Sequence, residues 1–321
     1  MDYLNVIEIA WNMDDTPEKE KLLEQAITIA DKYNDLKTSV EAREMLITSY
    51  MTTGFPKKQL QAFSWLINKW EEGTGCIDTY DLLWNYKWIS ENVSTFEEVS
   101  KEQINNLLTD MKAKYEQQNF SLRPYYKVCT LTAIQMGEVE NAIVFFEKWT
   151  KTEQDYLNDC SACETNDQAY FYYFIKDYEQ AKKLATPIII EEMSCGEVPH
   201  LTYGFMALVY LELDDIKMAQ HCFDEGYPLV EKQTALILSL SHLLKYLVLT
   251  EQNEKVREVI DTNKEIVLNT ESDLDRLLFL QAAYPLFDRE KEADLIEMTE
   301  ALTAKFDARN GNNYYQDLLK K

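Results

Sequence analysis

The stretch Gly137-Glu138-Val139-Glu140-Asn141-Ala142-Ile143-Val144-Phe145-Phe146 decides the fold of this chain. A turn at Gly137 is followed five residues later by an alanine, and four residues after that by a bulky aromatic residue. In a helix that begins after the turn, residues four apart lie on the same face. A small residue on that face lets a second helix approach closely, so the stretch predicts a helical hairpin that packs at Ala142.

The same pattern recurs through the second half of the chain at a nearly constant spacing. Successive anchor residues, each small or β-branched, are separated by 39, 38, 37 and 37 positions. These anchors are Ala142, Ala181, Ala219, Val256 and Ala293. A constant period of this length is typical of an array built from one supersecondary unit. The sequence therefore predicts five helical repeats over residues 121–311.

These helix-turn-helix units resemble the tetratricopeptide repeat, whose unit has about 34 residues. The resemblance implies an all-α fold, a right-handed α-solenoid in which the first helix of each hairpin lines a concave inner wall. Proteins with similar repeats usually hold peptide ligands along that wall. The resemblance therefore implies a non-catalytic scaffold that binds a protein or peptide partner on its concave face.

The remaining segments are also predicted to be helical. Residues 1–120 read as less regular hairpins, with apolar residues at helical spacing in Lys19–Tyr33 and a helix, a turn and a second helix from Val40 to about Trp70. Residues 312–321 place tyrosines and leucines on one side and are predicted to cap the array. No linker rich in glycine, serine or proline divides the chain, so we expect about seven hairpins in one continuous solenoid.

Composition narrows the classes of protein further. The 321 residues include only 8 glycines and 7 prolines, too few for the turns of sandwiches, barrels or phosphate-binding sheets. The 46% of hydrophobic residues can form a core, which argues against disorder. A net charge of −24 opposes binding to nucleic acid or anionic lipid and favours a basic partner. The oligomeric state does not follow from these properties.

The compartment is predicted from the first residues and from the cysteines. No basic region precedes an apolar run at the start of the sequence, so nothing marks it for export, and we expect a cytoplasmic protein. Ala235–Thr250, the longest apolar stretch, falls short of the roughly 20 residues that span a bilayer. Six cysteines in a reducing compartment are expected to be thiols or metal ligands.

The strongest candidate site combines Cys160, Cys163, Cys195 and His200. A Cys-x-x-Cys pair can hold one tetrahedral ion, and a further cysteine and a histidine would complete a zinc site. The two pairs lie at the starts of equivalent helices in neighbouring repeats, so stacking is expected to bring them together. We predict a structural zinc ion there. Two alternatives stay open: four unlinked side chains packed near helix ends, and a redox dithiol.

A second candidate site follows from the repeat phase, which places seven residues on the inner wall. They are Lys127, Gln135, Asn166, Tyr170, Tyr173, His242 and Lys245. Tyr170-Phe171-Tyr172-Tyr173-Phe174 has more rings than one buried face needs, which favours an exposed binding strip, although packing between repeats is the alternative. The two lysines are predicted to hold a peptide carboxylate.

Nothing in the sequence predicts catalysis. The chain has three histidines and no nucleophile-elbow or phosphate-loop motif, so we expect a protein that is not an enzyme. Two other functions remain as alternatives. One is a peptide-responsive regulator similar to bacterial quorum-sensing proteins with these repeats, and the other is an acidic decoy that mimics nucleic acid.

Overall fold

The structure is a computed structural model that describes residues 3–320, with Tyr3 and Leu4 described by their backbone only. It is all-α: 76% of the chain is helical and no strand occurs within the described residues. The helices pack as adjacent pairs along the chain. Two compact units make up the chain, Met1–Asn92 and Val93–Lys321.

Five helices occur in the described part of the first unit, and only the last residue of the fifth helix, Val93, belongs to the second unit. They are α1 (Tyr3–Trp11), α2 (Pro17–Tyr33), α3 (Leu36–Thr53), α4 (Pro56–Glu71) and α5 (Thr79–Val93). Capping explains their ends: the Thr16 hydroxyl accepts from the backbone N–H of Lys19 at the start of α2, and Gly54, in the left-handed region at φ 81°, ends α3. The predicted helices α2, α3 and α4 are confirmed, whereas the prediction missed α1.

Twelve α-helices occur in the described part of the second unit. They are α6 (Lys101–Gln117), α7 (Arg123–Gln135), α8 (Val139–Lys151), α9 (Ser161–Phe174), α10 (Tyr178–Ile189), α11 (His200–Glu212), α12 (Ile216–Val230), α13 (Ile237–Leu249), α14 (Asn253–Asn269), α15 (Asp273–Ala283), α16 (Ala293–Asn310) and α17 (Tyr314–Leu319). From α7 to α16 they form five successive pairs, and the first helices α11, α13 and α15 also pack side by side.

Four of the five predicted anchors occupy the same place in these pairs. Ala142, Ala181, Ala219 and Val256 are each the fourth residue of the second helix, and each is fully buried. The prediction for Ala293 is wrong: it is the first residue of α16 and is exposed. This helix begins 40 residues after the start of α14, later than the earlier spacing implies, and Leu295 is buried in its place.

Four of the five turns between paired helices contain a left-handed residue at the same position. Two residues before the second helix, the chain adopts a left-handed φ of 68° at Gly137, 64° at Lys176, 57° at Asp214 and 57° at Glu251. A non-glycine residue in this region costs roughly 1–2 kcal/mol. The first of these four turns has a glycine at this position. The other three do not, so they carry that cost and no glycine marks them in the sequence.

The C-terminal helix joins the last pair to the first pair. The Tyr315 hydroxyl donates to the backbone carbonyl of Gln135 at the end of α7, and Asn312 Nδ2 donates to the carbonyl of Met136 at 2.8 Å. Tyr314 lies over Gly137, where any side chain would collide with its ring. The segment predicted to cap one end of the array thus contacts both ends of the row of five pairs.

Further contacts from the last pair hold this arrangement. The Arg309 guanidinium donates to the carbonyls of Ser94 and Phe96 at 2.8 and 2.9 Å, and Leu274 donates through its backbone N–H to Thr95. These residues precede α6, so the beginning and the end of the second unit are in contact. Within residues 3–320, no helix combines the length and the apolar character that crossing a bilayer requires.

Candidate functional site

Three of the seven predicted binding residues come together in one aromatic cluster. The Tyr170 and Tyr173 rings on α9 lie 5.8 and 5.6 Å from the His242 ring on α13, measured between ring centroids. Phe205 on α11 packs between the two helices, 5.4 Å from Tyr170. Phe205 is buried, but Tyr170, Tyr173 and His242 each keep part of their surface exposed. We call these four residues the inner aromatic cluster; three of its four rings remain partly exposed.

Burial desolvates the titratable groups of this cluster. Burial, together with a smaller effect of the Lys245 charge, lowers the pKa of His242 to about 3, so the imidazole is neutral at physiological pH. Burial also raises the pKa of Tyr170 well above its ordinary value, with smaller contributions from Tyr314, Asp275 and Asp167. Tyr170, Tyr173 and His242 are thus partly exposed and yet desolvated by the surrounding protein.

Asp275 is an acidic residue whose charge reaches the inner aromatic cluster. It lies in the first turn of α15, and its charge acts on Tyr170. Burial raises the pKa of its carboxyl from 3.8 to about 6, although a hydrogen bond from Ser272 opposes this. No lysine or arginine in the described part of the chain pairs with it. A desolvated carboxylate without a counter-ion is a ready acceptor for a basic group.

Asp275→Asn is expected to stabilise the protein at pH 7.5. Because the pKa of the folded state lies above the unfolded value, ionised Asp275 destabilises the fold above pH 6, and this cost disappears as the pH falls through 6 towards 4. Allowing for partial exposure, the substitution should add roughly 1–2 kcal/mol at pH 7.5 and little at pH 4. Thermal unfolding at the two pH values tests this; equal effects at both would contradict it.

Lys127 is not placed as predicted. It is buried, with 4% of its surface exposed, and its ammonium forms ion pairs with Asp159 and Asp167, the latter at 2.7 Å. The Lys127 ammonium, predicted to bind a peptide carboxylate, is therefore already paired with two carboxylates of its own unit. Lys245, the other predicted lysine, is partly exposed on α13 beside His242.

Two other predicted binding residues serve the packing of the fold. Asn166 is buried, donates to Asp167 at 2.9 Å and accepts from Thr202 of α11 at 2.8 Å. Gln135 accepts from Ser94 through its side chain and from Tyr315 through its backbone carbonyl. Neither residue belongs to the inner aromatic cluster.

Three cysteines form the second candidate site, as predicted. The Sγ atoms of Cys160, Cys163 and Cys195 all lie within 4.8 Å of one another. Cys160 is the N-cap of α9, where its sulfur accepts from the backbone N–H of Cys163 at 3.5 Å, and Cys195 lies in the loop that precedes α11. Cys160 and Cys195 are exposed, and Cys163 is partly buried. This thiol cluster has the donors and the spacing of a metal site.

Hydrogen bonds and burial shift the pKa of Cys160 and the pKa of Cys163 in opposite directions. Partial burial opposes ionisation of Cys160, but hydrogen bonds from the Cys163 N–H and from the Cys195 and Cys163 thiols outweigh it and lower the pKa of Cys160. Burial raises the pKa of Cys163, and its neighbours Cys160 and Cys195 raise it further. The cluster therefore favours one thiolate at the N-terminus of α9.

His200 does not join the thiol cluster, so this part of the prediction is wrong. It is the first residue of α11, and among the described residues only the three cysteines have ligand atoms within the common 4.8 Å. Its Nδ1 is buried without a hydrogen-bond partner, and burial lowers its pKa. An equivalent position in two neighbouring repeats therefore did not bring His200 to the three sulfurs.

A buried polar network, missed by sequence reasoning, ties the first two helix pairs together. Arg123 of α7 pairs with Glu164 of α9, and their side chains are 8% and 5% exposed. Trp149 Nε1 of α8 donates to the same carboxylate at 3.1 Å, and Arg123 donates to the carbonyl of Trp149 at 2.8 Å. Charged residues near helix starts normally indicate solvated surface, so the sequence carried no signal for this pair.

Comparison with known proteins adds no family to this description: no protein-family model matches the chain, and no curated protein matches it significantly.

Proposed function

We propose that the unit formed by residues 93–321 is a non-catalytic binding module for a basic peptide segment of a protein partner. The observation that carries the proposal is the inner aromatic cluster with the unpaired carboxylate of Asp275. A lysine or arginine side chain placed against a tyrosine face gains a cation–π attraction. A carboxylate nearby supplies its counter-ion. The charge of −24 also attracts such a segment over longer distances.

We further propose that the five helix pairs are repeats similar to tetratricopeptide repeats and form a right-handed solenoid. We also propose that the protein is cytoplasmic. In that solenoid, the first helices α9, α13 and α15 bring Tyr173, His242 and Asp275 to one concave face. Repeats that bury a continuous core leave such a face available along its length. An extended segment fits this face better than a compact substrate does.

Peptide binding tests the proposal. In an array of basic, neutral and acidic peptides at matched length, we expect the full chain to retain basic peptides. Tyr173→Ala should lower the affinity about tenfold, whereas Tyr156→Ala, at a tyrosine that is 86% exposed outside the cluster, should leave it unchanged. Asp275→Asn should weaken binding while it raises thermal stability. Equal retention of acidic and basic peptides would contradict the proposal.

The thiol cluster favours a second function, which we propose as structural zinc binding. Three thiolates held by the start of α9 and the loop before α11 would join two neighbouring helix pairs. Zinc bound in this way stabilises a fold directly. Metal analysis of protein purified without chelators should give about one zinc per chain, and a value near zero after zinc addition and desalting would contradict it.

A further inference from the structure

The thiol cluster supplies three ligands, and tetrahedral zinc needs four. Zinc–sulfur bonds of about 2.3 Å place the sulfurs of a tetrahedral site about 3.8 Å apart. The separations within 4.8 Å in the thiol cluster fit this after small side-chain rotations. Among the described residues no histidine nitrogen or carboxylate oxygen shares the site. The protein therefore provides one face of a tetrahedron.

The missing fourth position faces solvent. Cys160 and Cys195 are both exposed, and only Cys163 has an apolar environment, formed by Ala162, Ile188, Val198 and Met193. A metal ion held by the three sulfurs thus has protein on the Cys163 side and water on the other. Three protein ligands leave one coordination position accessible, so zinc at this site can join the two helix pairs and still bind a fourth ligand from outside the chain.

We propose that Cys160, Cys163 and Cys195 hold zinc as an open trithiolate site whose fourth position binds an external thiolate. This inference rests on the proposed zinc binding and adds its ligand class. Each cysteine thiol releases its proton to solvent as it binds the ion, and the external thiol releases its proton in the same way while it displaces a water molecule. A sulfur donor is favoured because the ion already has a soft ligand set.

Cobalt(II) tests this inference, because its visible bands report coordination number and its near-ultraviolet bands report thiolate ligands. Reduced full-length protein is titrated with cobalt in the absence of oxygen, and a small monothiol is then added. We expect one cobalt per chain, and we expect the monothiol to saturate with an increase in the thiolate charge-transfer band equal to about one third of the initial band, as expected for a fourth sulfur beside three.

Matched variants assign the ligands. Cys163→Ser should lower the cobalt affinity at least about 100-fold, whereas Cys76→Ser, at an exposed cysteine of the first unit, should not change it. The spectrum of the cobalt-loaded His200→Ala variant should match that of the unsubstituted protein, both before and after thiol addition. A spectrum that changes in this variant would show that His200 fills the fourth position and would overturn the inference.

The remaining outcomes separate the two proposals. Failure to bind cobalt or zinc would overturn both the zinc proposal and the open site. Binding of one cobalt with a spectrum that the monothiol does not alter would leave the zinc proposal standing and overturn the open site. A second copy of this chain is the other source of a thiolate. If the metal-loaded protein dimerises by size exclusion without added thiol, and excess monothiol returns it to a monomer, the partner copy supplies the ligand.

Discussion

Arg123→Met is expected to lower the free energy of unfolding of the second unit by about 3–5 kcal/mol, because it leaves a buried carboxylate without its counter-ion. Glu164 would retain only neutral donors, Trp149 Nε1 at 3.1 Å and Asn158 Nδ2 at 3.3 Å. The lost guanidinium also frees the carbonyls of Trp149 and Thr152. Chemical denaturation monitored by circular dichroism measures the loss.

Two further variants separate this explanation from a general effect of mutating charges. Arg123→Met combined with Glu164→Gln should recover a large part of the stability, since no buried charge is then left unpaired. Lys151→Met, which removes the exposed ion pair with Glu147, should cost less than about 1 kcal/mol. A double variant no more stable than the single one would contradict the role assigned to the buried pair.

Gly204→Ala is the second substitution expected to have a large effect, about 2–3 kcal/mol. Gly204 lies within α11 against α13, where an added Cβ would come within 2.7 Å of the Ser239 carbonyl oxygen and 2.9 Å of its Cα. Backbone atoms cannot rotate away as a flexible side chain can. The two first helices would have to separate, and their shared core would be disturbed.

Gly196→Ala is the matched control, because nothing lies within 4 Å of an added Cβ in the loop before α11. It should change stability by less than about 0.5 kcal/mol. If Gly204→Ala were as mild as this control, close packing of α11 on α13 would not be a feature of the fold.

The sequence predicts the helix pairs because their determinants are local. Four anchors and the turns before them lie within one pair each, so spacing alone locates Ala142, Ala181, Ala219 and Val256. It fails at Ala293, where extra residues before α16 shift the helix start. The contact of Tyr315 with Gln135 joins residues 180 positions apart, and no local pattern encodes it.

The sites were predicted in part for the same reason. Repeat phase predicts that Tyr170, Tyr173 and His242 lie on the same side of the array, and the three rings are in contact. It does not show which charges already have partners, so it predicts neither the ion pairs of Lys127 nor the burial of Asp275. A paired charge can be told from an unpaired one only when the side chains of the neighbouring helices are known.

Photo-crosslinking is the measurement that tests the central claim, that the inner face binds a basic segment, most directly. A basic peptide retained in the array, carrying a photoreactive residue beside its lysine or arginine, is irradiated with the full chain, and the attachment sites are mapped by mass spectrometry. We expect attachment on α9, α13 and α15 near Tyr173, His242 and Asp275. Excess unlabelled peptide should reduce this attachment. Competable attachment confined to the second helices, such as α10, α12 and α14, would contradict it.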